Sequence, residues 1–147
     1  MRSKTAVASF LCLFALSAFA APAARQPAAP NAPFNAQNAA QVFQMSQSGG
    51  IQQVTAKDPG DKALIAAIRG YLEAEAGRFG GGDYSGTVKI EGQDVPAAKY
   101  FKTVTPRQVA IIYRNLPAGA AIDYVGRDKL TVDAIHGWFD ALLSEEE

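Results

Sequence analysis

Two stretches of the chain carry apolar residues at helical spacing. In the first, Ile65, Ile68, Leu72 and Phe79 fall on one side, with Leu64 and Tyr71 flanking. Asp58-Pro59 offers an N-cap followed by proline at the first helical position, and Gly80-Gly81-Gly82 offers a stop. The pattern therefore predicts a helix from about Asp58 to about Phe79. In the second stretch Ile135, Trp138, Phe139 and Leu142 define the stripe, with Leu143 at its edge and Asp128 or Thr131 as the cap.

Elsewhere the period shortens to two. Arg107 to Asn115 holds the β-rich run Val109-Ala110-Ile111-Ile112-Tyr113. Leu116-Pro117-Ala118-Gly119 reads as a turn, and Ala121 to Gly126 sets Ile122 and Tyr124 against Asp123. This predicts a hairpin. An earlier one is weaker: Gln41 to Gln47, then Ser48-Gly49-Gly50, then Ile51 to Ala56. Ile51 and Val54 fall on opposite faces of a strand, and 39–46 reads equally as a short helix. Thr87 to Glu91 alternates as a half-buried strand, Glu91 to Asp94 turns, and Val95 to Lys102 is a short helix or irregular.

The weak hairpin is read as strands because the chain repeats itself. Val42-Phe43-Gln44 matches Ile112-Tyr113-Arg114, Gly49 matches Gly119, and Lys57-Asp58 matches Arg127-Asp128, all at an offset of 70. The offset then drops to 67, where Ile68-Arg69-Gly70-Tyr71-Leu72-Glu73-Ala74 matches Ile135-His136-Gly137-Trp138-Phe139-Asp140-Ala141. Three extra residues therefore lie within Pro59 to Ala63. A register that holds, takes one gap and resumes points to internal duplication of a strand–strand–helix unit. Each helix has one apolar stripe that must be covered. The expected fold is α+β: a two-layer domain with an antiparallel sheet of four to five strands and two helices on one face. It spans 39–144, with unit one at 39–79, an insertion at 80–106 and unit two at 107–144.

Residues 1–20 read as an export signal. Arg2 and Lys4 precede an apolar run, and Ala18-Phe19-Ala20 is a small-x-small cleavage site. The run is shorter than the ~20 residues of a spanning helix, so no membrane anchor is expected after cleavage. Cys12, the only cysteine, leaves with the signal, which excludes disulfides and thiolate sites. Residues 21–38, rich in alanine and proline, read as a flexible tether. Removing Arg2 and Lys4 from 14 basic and 14 acidic residues leaves 12 against 14, a net charge of −2. Such an unclustered surface argues against nucleic acid as a partner. The expected address is periplasmic or extracellular.

Candidate chemistry is sparse. Glu75 interrupts the first helical stripe where the second copy has Leu142. It reads as a solvated carboxylate paired with Arg78. The sharper alternative is a carboxylate aimed into a cleft, with a raised pKa. His136, the only histidine, has Asp140 one turn on and Asp133 one turn back. That could be half a metal site or an oriented base. But a metal wants three or four ligands, and the matching residue in unit one is Arg69. Ser85 and Ser144 lie in no nucleophile elbow, and the loop from Phe79 to Gly86 lacks the Lys-Ser/Thr of a phosphate cradle. No catalytic residue and no cofactor is expected. Tyr84, Tyr100 and Phe101 lie outside the repeats and are the candidates for a partner patch, with packing of the inserted segment as the alternative. Gly70 and Gly137 sit mid-helix, each expected to mark a close approach.

The segments from Leu116 to Tyr124 and from Ala134 to Ala141 resemble a loose group of small exported bacterial proteins of unknown function built from hairpin–helix units. Some members bear an aspartate carbamoyltransferase label. That reaction needs a far larger two-domain enzyme with phosphate-binding residues absent here. Some also carry extra histidines near the C-terminus, where this chain has Glu145-Glu146-Glu147, so the resemblance implies no metal role for this chain. The expectation is a non-catalytic exported module that binds an unknown envelope partner. The alternatives are a small-ligand or metal-binding protein using the His136/Asp140 edge or the Glu75 cleft, and an unidentified small enzyme.

Overall fold

Two hairpins, each of two eight-residue strands, form the centre of the protein. The computed structural model describes residues 32–90 and 93–144. Strand β1 (Ala39–Ser46) pairs with β2 (Gly49–Ala56), helix α1 (Lys62–Gly80) follows, and β5 (Val109–Leu116) pairs with β6 (Gly119–Gly126) ahead of α3 (Lys129–Leu143). Between the units lie β3 (Thr87–Ile90), β4 (Gln93–Pro96) and the one-turn helix α2 (Ala97–Tyr100). The main sheet is antiparallel throughout, in the order β1-β2-β6-β5. The fold class is therefore α+β with a four-stranded sheet. The inserted strand β3 does not join that sheet; it pairs with β4 in a separate ribbon.

The two hairpins share one register. Ala39 pairs with Ala56 and Val109 with Gly126; Ser46 pairs with Gly49 and Leu116 with Gly119. Every such pair recurs at an offset of 70, and so do the bonds that frame the strands. Lys57 N–H donates to the Asn38 carbonyl and Arg127 N–H to that of Gln108, both at 2.9 Å. Ala56 N–H donates to the Ala118 carbonyl and Gly126 N–H to that of Ser48, both at 2.8 Å. Where the hairpins meet, Gln52 lies opposite Ile122, its own counterpart at that offset.

Glycine enters the strands rather than the turns. Gly49 and Gly119 each open a second strand, because the neighbouring strand leaves no room for a side chain. A Cβ on Gly49 would meet the Tyr124 carbonyl oxygen at 2.0 Å, and one on Gly119 the Val54 carbonyl oxygen at 2.0 Å. The turns are thus the two-residue links Gln47-Ser48 and Pro117-Ala118, shorter than the glycine positions predict.

Helix α1 begins later than Asp58. Asp58 accepts from Gly60 N–H in a tight turn, and Asp61 is the N-cap, accepting from Leu64 N–H. Asp128 caps α3 the same way, through Thr131 N–H. Asp61 and Asp128 stand at the offset of 67, so the extra residues form the turn ahead of α1. The folded part begins earlier than residue 39. Phe34 is buried and meets the Tyr71 ring edge-on at 5.6 Å, which anchors this stretch to α1. The rest of the stretch expected to be a tether, the stretch expected to be an export signal and the terminal glutamates lie outside the described residues, as does the centre of the turn expected between Glu91 and Asp94.

The core gathers around Trp138, which is fully buried and touches Phe43, Phe79, Phe101, Tyr124 and Phe139 at ring distances of 5.3–6.5 Å. Phe139 rests on Gly50, where a Cβ would come within 2.4 Å of its ring. Of the two mid-helix glycines, Gly137 does mark a close approach, with Tyr100 at 3.3 Å from a built Cβ. Gly70 meets nothing within 4 Å, which corrects the expectation for that position.

Candidate functional site

Glu75 interrupts the helix stripe and is expected to be solvated where the last turn overhangs the sheet; the structure buries it. Glu75 is 4% exposed while Arg78, one turn on, is exposed. The reason is geometric: Leu72, Glu75, Ala76 and Phe79 share the buried side of α1, and the helix keeps its packing to its last turn. Burial pushes the Glu75 carboxyl up to about 7, against the opposing pulls of the Arg78 guanidinium and the Gln52 side chain. A carboxyl in this state changes charge near neutrality, which an ordinary glutamate does not.

Gln52 extends the site onto the sheet. It is 1% exposed, and its Oε1 accepts a 2.7 Å hydrogen bond from the Tyr124 hydroxyl. Burial, with the Glu75 charge in support, lifts that phenol well above its usual range. Burial and then the Glu75 charge also raise Tyr71, one turn before Glu75, to about 12. Both phenols therefore stay protonated and act as hydrogen-bond groups only. Gln41, 3% exposed, lies diagonally across from Gln52 on the same face of the β1–β2 pair.

These groups are incompletely satisfied. Glu75 Oε2, Gln52 Nε2 and both polar atoms of Gln41 are buried with no hydrogen-bond partner among the described residues. The Gln52 side chain is close enough for the carboxyl to feel, but its Nε2 closes no bond of normal geometry. Buried polar atoms are nearly always paired, since an unpaired one costs about 1–3 kcal/mol. Four of the six such atoms among the described residues belong to these three side chains; the others are the Tyr84 hydroxyl and Trp138 Nε1. Both unpaired acceptors and unpaired donors are present among the four.

The other unit lacks this chemistry at each matching place. Gln41, Gln52 and Glu75 correspond to Ile111, Ile122 and Leu142. The same scaffold thus packs with aliphatic side chains there, so the three polar residues are not demanded by the fold. Sequence reasoning found Glu75 but missed Gln41, Gln52 and Tyr124. Carrying the offset of 70 one residue back from Val42, and on into β2, would have exposed both glutamines.

His136 has a different task. Its Nε2 lies 2.9 Å from the Ser46 carbonyl and 3.0 Å from that of Gly49, so this nitrogen carries the proton and donates. Arg69 makes the counterpart contacts, from Nη2 to the Leu116 carbonyl at 2.6 Å and from Nε to that of Gly119 at 3.1 Å. Each helix thus latches onto the turn of the other unit's hairpin. Asp133 pairs instead with Lys129 at 2.6 Å, and Asp140 is exposed. Among the described residues no three of His, Cys, Asp or Glu gather as a metal site.

The aromatic patch is interior. Tyr84 and Phe101 stack at 4.7 Å and are 7% and 3% exposed; Tyr100 covers Gly137. The inserted segment folds these rings against Phe79 and Trp138, which removes Tyr84 and Phe101 as surface contacts. Ser85 hydrogen-bonds Asp83 through both its N–H and its hydroxyl, closing the loop on itself. No described helix is long and apolar enough to cross a membrane. No known protein family, curated protein or solved structure matches the chain.

Proposed function

We propose that the protein is a non-catalytic binding module that works after export, and that its ligand is a small polar molecule held at Glu75, Gln52 and Gln41. One observation carries the reading: three buried, under-satisfied polar side chains occupy one unit where the other has isoleucine, isoleucine and leucine. Retaining them lowers stability relative to the aliphatic set, so their use lies in what they bind. The signal sequence supports the exported address. The repeated register and crossed latches support an origin by duplication of a strand–strand–helix unit. The contacts of Phe139 and Trp138 with Phe43 and Tyr124, and of Glu75 with Gln52, support a two-layer packing of both helices on one sheet face.

The test follows the side-chain amides of Gln41 and Gln52 by NMR while acetamide, methylammonium or acetate is added to tens of millimolar. At least one probe is expected to move both glutamine signals in the native protein and to leave Gln41 unmoved in Gln52→Leu. If none of the three moves either signal, the reading is wrong.

A further inference from the structure

The face of the main sheet opposite the aromatic core carries a second pattern. Its two central rows read Val42, Gln53, Ala121, Arg114 and Gln44, Ile51, Asp123, Ile112 across the four strands. Apolar and polar positions alternate along each row and between the rows, as on a chequerboard. The rows exchange under the offset of 70, with Val42 answering Ile112 and Ile51 answering Ala121, so the face nearly repeats after a half-turn about its centre. Val42 and Ile112, on the two edge strands, are 38% and 47% exposed. The two exposed side chains thus occupy matching places on the two edge strands of one face.

The charges on this face do not oppose a like surface. Arg114 and Asp123 form a bidentate pair, both contacts at 2.7 Å, and so cancel within the face. Four eight-residue strands at a rise of about 3.3 Å and a spacing of about 4.8 Å give a footprint of about 26 by 19 Å. Two such faces bury on the order of 1,000 Å² together, the threshold for a specific interface.

We propose that two copies of this chain pack through that face, sheet against sheet, with Val42, Ile51 and Ile112 at the contact. The dimer is independent of the polar site, which lies among the core residues. Because the area is near the threshold for a specific interface, the association is a modest one.

The experiment is sedimentation velocity on the purified protein over a concentration series. A monomer–dimer equilibrium is expected. Ile112→Asp, at an exposed position that leaves the core intact, should weaken it about tenfold or more, and Val42→Lys should do the same. Leu130→Asp, at a side chain 60% exposed on α3, should leave it unchanged. A monomer at every concentration overturns the proposal, whether the face is bare or covered by the chain's own first residues or by a foreign protein. So does a dimer as sensitive to Leu130→Asp as to Ile112→Asp.

Discussion

Unit one and unit two fold alike and are filled differently. Both have a two-residue turn, an aspartate cap, a glycine under a neighbouring carbonyl and a helix latched to the opposite hairpin. Unit two concentrates its bulk at Trp138 and Phe139. Unit one has Tyr71 and Leu72 at the matching places, and adds Gln41, Gln52 and Glu75 where its counterpart is aliphatic. The difference separates two kinds of residue: what recurs in both units builds the scaffold, and what one unit alone possesses is free to serve another purpose.

The steepest contrast is between Trp138 and Tyr71. Trp138→Ala should destabilise by ~3–5 kcal/mol, because a fully buried ring with five aromatic neighbours is removed. Tyr71→Ala, at a half-buried position, should lower the melting temperature much less. Equal losses would mean that the two units share the core evenly.

Next comes pH. The unfolded chain releases the Glu75 proton near 4.5, while the folded protein keeps it to about 7. Stability from this group is therefore full below about 4.5, falls as pH rises through that window and is flat above it, a loss of about 3 kcal/mol. Urea unfolding of Glu75→Leu, which copies unit two, should show no such decline and exceed the native protein at pH 8. The same slope in both proteins would acquit Glu75.

The latches should follow. Arg69→Ala and His136→Ala each free two turn carbonyls and should each cost about 1–3 kcal/mol in urea unfolding, Arg69 more because its bonds are charge-assisted. Loss of stability on adding a zinc chelator, in the native protein but not in His136→Ala, would contradict the latch. The smallest effect separates the mid-helix glycines. Gly70→Ala should raise stability by about 1 kcal/mol, since a Cβ enters open space. Gly137→Ala should bring no gain, because the Tyr100 ring must shift first.

Both helices and the second hairpin were legible from periodicity alone, because Ile68, Leu72, Ile135 and Trp138 bury one stripe of each helix. The first hairpin was legible only through its match to the second at an offset of 70, since Gln41 and Gln52 break the apolar alternation that marks a strand. The glycines misled because a Gly-Gly pair ordinarily signals a turn, whereas here Gly49 yields to a carbonyl and Gly50 to the Phe139 ring. Asp58-Pro59 imitated a cap because the three-residue turn ahead of α1 repeats the aspartate at Asp61. Of the polar site, Glu75 stood out in its stripe, but its burial depended on how far α1 stays packed on the sheet, which no local pattern encodes. Tyr124 shares the Ile122 face of its strand in the sequence pattern, but its hydroxyl bond to Gln52 spans 72 residues of chain.

The most direct trial of this account is the titration of one carboxyl. With glutamate labelled at its carboxyl carbon, and Glu75 assigned through Glu75→Gln, NMR can follow its shift from pH 3 to pH 9. A midpoint near 7 is the expected result for a carboxyl held in the interior among unpaired amides. A midpoint near 4.5 would place Glu75 in water, and the contrast between the two units would lose its functional meaning.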